Sequence, residues 1–205
     1  MPNLNMAVEK TTPLGPSPAS VGTDASAAAL AAPVSGPATL DELAALTADE
    51  LQVIYGQAAT PTIAEVAGDL RGRMLAFNSL GRGLFARALR AFAGWRFFPW
   101  RGKSFAALGP DHGEGINRVF GDRRPRKWFR FETKIGPSRA GAFDAFHLDY
   151  DNPGNPFYIR AIKDEIRRVR PGLYLGQAYL VTSKRARLVL YFGLSASSSS
   201  SLAGT

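Results

Sequence analysis

The hydrophobic period of this chain changes at Pro99, and that change limits the folds open to it. Before the switch, Ser79–Ala93 places Leu80, Leu84, Phe85, Leu89 and Phe92 at helical spacing, with Arg82, Arg87 and Arg90 between them. That is the pattern of an amphipathic helix. After it, Phe129, Phe131, Thr133 and Ile135 alternate with Trp128, Arg130, Glu132 and Lys134, the period-two signature of a strand with one buried face. Gly136–Ser138 and Gly141 bracket a turn, and 142–150 resumes the extended pattern, so a hairpin is expected. Leu173–Val181 and Arg187–Leu194 are the two most hydrophobic extended runs, joined by a basic turn at Ser183-Lys184-Arg185. The pattern predicts an α+β fold, with a helical part over residues 39–93 followed by an antiparallel, barrel-like sheet over 100–194.

Thr39-Leu-Asp-Glu42, Thr47-Ala-Asp-Glu50 and Thr62-Ile-Ala-Glu65 each match the capping box. They open short helices near 40–46 and 48–57, and a third that stops near Gly68. Asp151–Pro156 is dense in turn formers and reads as a rigid loop. Ile159–Arg168 suits either a short helix or a strand. Its Lys163-Asp-Glu-Ile-Arg-Arg168 run reads as a solvated ion-pair face, the alternative being that Asp164 or Arg167 is buried and projects into a pocket. Residues 1–38 hold six of the fourteen prolines and no aromatic residue, and read as a disordered leader. Residues 39–194 then form one domain, and 195–205, with Ser197–Ser201 unbroken, a flexible tail.

The chain has no cysteine, which excludes disulfides, thiolate metal sites and cysteine nucleophiles and fits a reducing compartment. The first forty residues lack the basic and apolar blocks of a secretory signal and the arginines of a transit peptide, so a cytoplasmic location is expected. The formal charge of +8 is concentrated in one place: residues 70–110 carry eight basic side chains and no acidic one. Such an imbalance draws anionic partners.

Two clusters are candidates for chemistry. Phe92–Lys103 interleaves rings with cations; Trp95, Trp100, Arg101 and Lys103 are read as ligand contacts from it, together with Phe129, Phe131, Tyr150 and Arg187 from the sheet. The competing reading is that these rings simply form the core where the sheet begins. The same block suits a peripheral anionic membrane surface. Nucleic acid is less well supported, because no zinc-finger, helix-turn-helix or RNP-type motif accompanies it. In the second cluster His147 and Asp149 share one face of a strand and suit an acid/base pair, with Asp149 fixing the imidazole. The competing reading is a half-exposed histidine on a sheet face. No Walker, dinucleotide or GxSxG motif occurs, and two distant histidines give no metal pattern, so neither cofactor nor metal is expected.

Ala67-Gly-Asp-Leu-Arg-Gly-Arg73 and Trp100-Arg-Gly-Lys-Ser-Phe105 resemble the paired Gly/Trp/Gly-Lys elements of bacterial GXWXG-module proteins. Asp164–Val169 and Gly172-Leu-Tyr-Leu-Gly176 are similar to the later part of such proteins, and the sheet region resembles the calycin, or lipocalin-like, barrels. Leu70 stands where the first module has its central Trp. The resemblance implies a closed or partly closed antiparallel barrel holding a hydrophobic ligand. The function expected is therefore binding of an apolar or amphipathic small molecule, such as a lipid, polyketide-like compound or isoprenoid. The alternative is an isomerase or cyclase on a lipophilic substrate using His147 and Asp149.

Overall fold

The computed structural model describes residues 36–78, 100–121, 124–183 and 185–196. Most of the expected leader (1–35), the expected helix at 79–93, Trp95 and the tail from 197 lie outside the described residues.

Three short helices open the described chain: α1 (Leu40–Ala44), α2 (Ala48–Gln57) and α3 (Ile63–Val66). Thr39, Thr47 and Thr62 each accept a bond from the backbone amide three residues on, and Glu50 and Glu65 complete two capping boxes. The rest is β structure: β1 (Gly68–Phe77), β2 (Trp100–Ala107), β3 (His112–Val119), β4 (Arg126–Pro137), β5 (Asp144–Asp149), β6 (Ile162–Arg170), β7 (Leu173–Val181) and β8 (Ala186–Ala196), with a one-turn helix α4 (Phe157–Arg160) before β6. Each strand pairs antiparallel with its neighbour in sequence, and β8 pairs with β1, closing an eight-stranded barrel.

The barrel is the expected one, but the fold is mostly β, and the boundary between helix and sheet moves. Residues 68–77, assigned from sequence to the helical part, form β1. Its inward positions are Leu70, Gly72 and Met74, and the missing side chain at 72 removes the alternation that would reveal a strand. Ile159–Arg168 resolves into α4 and then β6. The charged run on β6 is not a solvated face: Asp164, Glu165 and Arg167 are 4 %, 0 % and 6 % exposed. Both faces of β6 are covered, one by the barrel interior and the other by α2 and the loop after β4.

Two apolar clusters hold the fold. One fills the barrel, with Leu70, Phe105, Phe131, Phe146, Leu148, Ile166, Phe192 and Leu194, and Ile63 and Val66 of α3 join it. Since α3 leads directly into β1, it closes the end of the barrel where β1 begins. The other cluster lies outside the wall, where Leu43, Leu51 and Tyr55 of α1 and α2 pack on Leu173, Leu175 and Tyr191. Polar pins fix this outer layer. Glu165 accepts from Ser138 Oγ at 2.7 Å and Arg139 Nη1 at 2.5 Å. Arg167 donates to the carbonyls of Ala58 and Asp144 and lies 3.9 Å over the Phe143 ring.

Small residues inside the wall decide what the interior can hold. A Cβ on Gly72 would sit 2.5 Å from the Trp100 ring, on Gly115 2.3 Å from Phe131, and on Gly176 2.2 Å from Phe192. Gly115 and Gly176 are the direct cross-strand partners of Phe131 and Phe192. Each ring therefore occupies the space that a side chain on the neighbouring glycine would fill. Gly102 is required for another reason. At φ +131° its backbone approaches Leu70 so closely that a Cβ would stand 1.9 Å from the Leu70 carbonyl oxygen. Only glycine adopts that conformation without strain.

Candidate functional site

The barrel end opposite α3, where β1 ends and β2 begins, leads into a cavity of about 130 Å³. Its walls are apolar, with Met74, Trp100, Phe129, Ile162, Leu190 and Phe192 among the lining residues. At its floor four polar side chains meet, from four different strands or strand ends.

Lys103 projects inward from β2 and is only 3 % exposed. Lys103 Nζ donates to Asn117 Oδ1 at 2.9 Å, to Asp164 Oδ2 at 3.1 Å and to the Tyr150 hydroxyl. Tyr150 OH donates to Asp164 Oδ2 at 3.0 Å. Asn117 Nδ2 donates to Tyr150 OH and to the Phe129 carbonyl, both at 3.3 Å, and Trp100 Nε1 donates to Asn117 Oδ1 at 3.0 Å. The ammonium also lies 5.2–5.4 Å from the centroids of Trp100, Phe131, Tyr150 and Phe192. Three of those four rings are the ones seated on glycines, so the glycines make the aromatic box.

The sequence explains this placement. Asp164 shares a face with Ile162 and Ile166, and Tyr150 with Phe146 and Leu148, so strand alternation turns both polar groups inward among apolar neighbours. Tyr150 is held in register by the turn that follows it, in which buried Asn155 donates to the carbonyls of Tyr150 and Arg130 at 2.8 and 2.7 Å. Burial pulls Lys103 below and Asp164 above their ordinary pKa values, and the charge of each opposes the shift of the other. Burial, reinforced by the Asp164 charge, holds the Tyr150 phenol well above its usual range, so it remains a donor.

Of the ligand contacts expected from sequence, Trp100, Lys103, Phe129 and Tyr150 line this cavity, and Phe131 lies beneath Lys103. Arg101 and Arg187 are exposed. His147 and Asp149 lie on the opposite face of β5 from Phe146 and Leu148 and are not bonded to each other. His147 Nε2 is 3.1 Å from the Gly136 carbonyl and its Nδ1 3.7 Å from Glu165, while Asp149 pairs with Lys163. Asp164 stands in the sequence within a charge run, and its spacing from Ile162 and Ile166 is the signal for its burial. Asn117, between Ile116 and Arg118, carries no comparable signal.

The chain is thus a closed eight-stranded antiparallel barrel, calycin-like in form, with a cavity compatible with small-molecule binding. No protein-family model matches it, so the likeness to GXWXG-module proteins rests on short motifs alone, and no curated protein matches either. A crystal structure of a protein from Thermomonospora curvata is similar at 18 % identity and a TM-score of 0.47, covering 74 % of this chain and 88 % of that one. Among the described residues no helix is long and apolar enough to cross a membrane.

Proposed function

We propose that this protein binds a small apolar or amphipathic molecule inside the barrel, with the molecule's polar end at the Lys103–Asp164–Tyr150–Asn117 floor. The observation that carries the reading is the combination of apolar walls with one convergent polar cluster, the arrangement that lets a pocket gain energy from burial and specificity from a few bonds. Protein purified under non-denaturing conditions from its own source is expected to carry an extra mass in native mass spectrometry, released by organic extraction. Ala178 lines the cavity, and Ala178→Phe fills it. The variant should retain the fold and lose about tenfold or more in affinity for an octyl-chain probe. No copurifying mass and no binding of such probes by the wild type would refute the reading.

A second reading concerns the rim. Phe120, Trp128, Phe157 and Tyr158 are 40 %, 38 %, 83 % and 43 % exposed. They stand at the β3–β4 connection and on α4, at the cavity end of the barrel, in two edge-to-face pairs. Exposed Arg101, Arg126, Lys127, Arg185 and Arg187 lie at the same end. Rings with surrounding cations suit an anionic bilayer, where each cation contributes about 1 kcal/mol. In flotation with vesicles containing phosphatidylserine, the protein should rise with the lipid at low salt, and Trp128→Ser/Phe157→Ser should convert salt-resistant binding into salt-labile binding. Failure to float at low salt excludes this docking.

A further inference from the structure

The polar floor of the cavity can be read as an inventory of donors and acceptors. Lys103 has three N–H bonds to give, and gives them to Asn117 Oδ1, Tyr150 OH and Asp164 Oδ2. Trp100 gives its single indole N–H to Asn117. Asn117 gives both amide hydrogens, to Phe129 and Tyr150, and Tyr150 gives its hydroxyl hydrogen to Asp164. Every donor is engaged. Among the acceptors, Asn117 Oδ1, Tyr150 OH and Asp164 Oδ2 each receive two bonds. Asp164 lines the cavity and its side chain is only 5 % exposed; its Oδ1 has no partner among the described residues and almost no surface of its own, so a donor reaches it once the carboxylate turns toward the cavity.

A buried carboxylate oxygen without a donor costs free energy that a ligand can recover by supplying one. The charges limit which donor is suitable. Lys103 already neutralises Asp164, so a ligand carboxylate would set two anions against one ammonium and bring no hydrogen for Oδ1. A ligand ammonium would bring hydrogens but would also place a second cation beside Lys103 inside the same ring box. A neutral hydroxyl or amide N–H meets neither objection. A ligand adds the burial of its apolar part against Trp100, Phe129 and Leu190, which water lacks.

We infer that the molecule bound in the barrel carries a neutral hydrogen-bond donor, an alcohol, phenol or amide N–H, which it gives to Asp164 Oδ1. This deepens the small-molecule reading and rests on it. The class is then lipophilic alcohols and their like, and not fatty acids, although the nearby lysine suggests an acid at first sight.

The test is a matched series measured by calorimetry on the full chain at neutral pH: 1-octanol, octyl methyl ether, octanoate and octylammonium. Octanol should bind about tenfold or more tighter than the ether, which keeps the oxygen and lacks the hydrogen, because the bond lost is one to a charged acceptor. Octanoate and octylammonium should both be weaker than octanol. An ether as tight as the alcohol, or octanoate as the tightest member, overturns the inference while leaving the small-molecule reading intact. Failure of all four to bind removes that reading and the inference with it. In Asp164→Asn the amide oxygen is expected to face Lys103 and Tyr150, leaving N–H at the orphan position. The preference for alcohol over ether should then be lost, because both oxygens accept from that N–H, and an unchanged preference counts against the assignment. Should Asp164→Asn fail to fold, the wild-type series decides alone.

Discussion

Lys103→Met is expected to destabilise the protein by about 3–5 kcal/mol, whereas Lys103→Met/Asp164→Leu should lie near wild type. The asymmetry follows from burial. Both charged side chains are at most 5 % exposed, so removing the ammonium alone strands a carboxylate that has only Tyr150 left as a donor. Removing both charges replaces a desolvated ion pair by apolar atoms, an exchange that is often neutral or favourable, and leaves the Tyr150 hydroxyl hydrogen without its acceptor as the residual cost. The pH dependence has a definite sign. Without Lys103, burial raises the Asp164 pKa further in the folded state, so the native protein binds more protons than the unfolded chain. The deficit of Lys103→Met should therefore be largest above the raised value and shrink as pH falls toward the ordinary aspartate range. Urea denaturation of the single and double variants across that range measures both effects. A double variant as unstable as the single one would show that the cost comes from packing and not from the stranded charge.

Gly176→Ala should cost about 1–3 kcal/mol and also weaken ligand binding, although glycine in a strand interior is ordinarily a liability. The added methyl would meet the Phe192 ring at 2.2–2.6 Å, and the ring would be driven off the wall and into the cavity it now lines. Stability and affinity should recover together in Gly176→Ala/Phe192→Leu, where the smaller side chain leaves room for the methyl. Thermal unfolding and probe titration of the two variants check this. Full wild-type stability in the single variant would mean that the wall yields more easily than the contact allows.

These glycines also explain which strands could be read from sequence. β4, β5, β7 and β8 show period-two alternation or apolar runs because their inward positions carry large side chains such as Phe131, Phe146, Leu148, Tyr174 and Phe192. In β1 and β3 the inward positions include Gly72, Gly113 and Gly115, and the apolar atoms that cover Gly72 and Gly115 belong to rings on the adjacent strands. The hydrophobic content of those positions is real but is written elsewhere in the chain. The site divides in the same way. Trp100, Lys103, Phe129 and Tyr150 announce themselves as aromatic or basic groups near the start or end of a strand. Asp164 is masked by its charged neighbours Lys163 and Glu165, which point away from the cavity, and Asn117 is marked by nothing local.

The closure of the barrel sets an order of assembly. β1 to β7 each pair with the next strand in sequence, so these ladders need only short loops, except across residues 78–99, whereas β8 must return across the whole sheet to reach β1. Entropy makes that long return the late event. The outer layer waits on it: Leu40 sits where a Cβ on Gly193 of β8 would be, 2.6 Å away, and Leu75 of β1 adjoins the same position. Helices α1 and α2, made before any strand, thus find their full docking surface only after β8 has been made. Until then Leu40, Leu43 and Leu51 have an incomplete wall to cover, and the nascent chain carries an apolar face from the making of α1 to the making of β8.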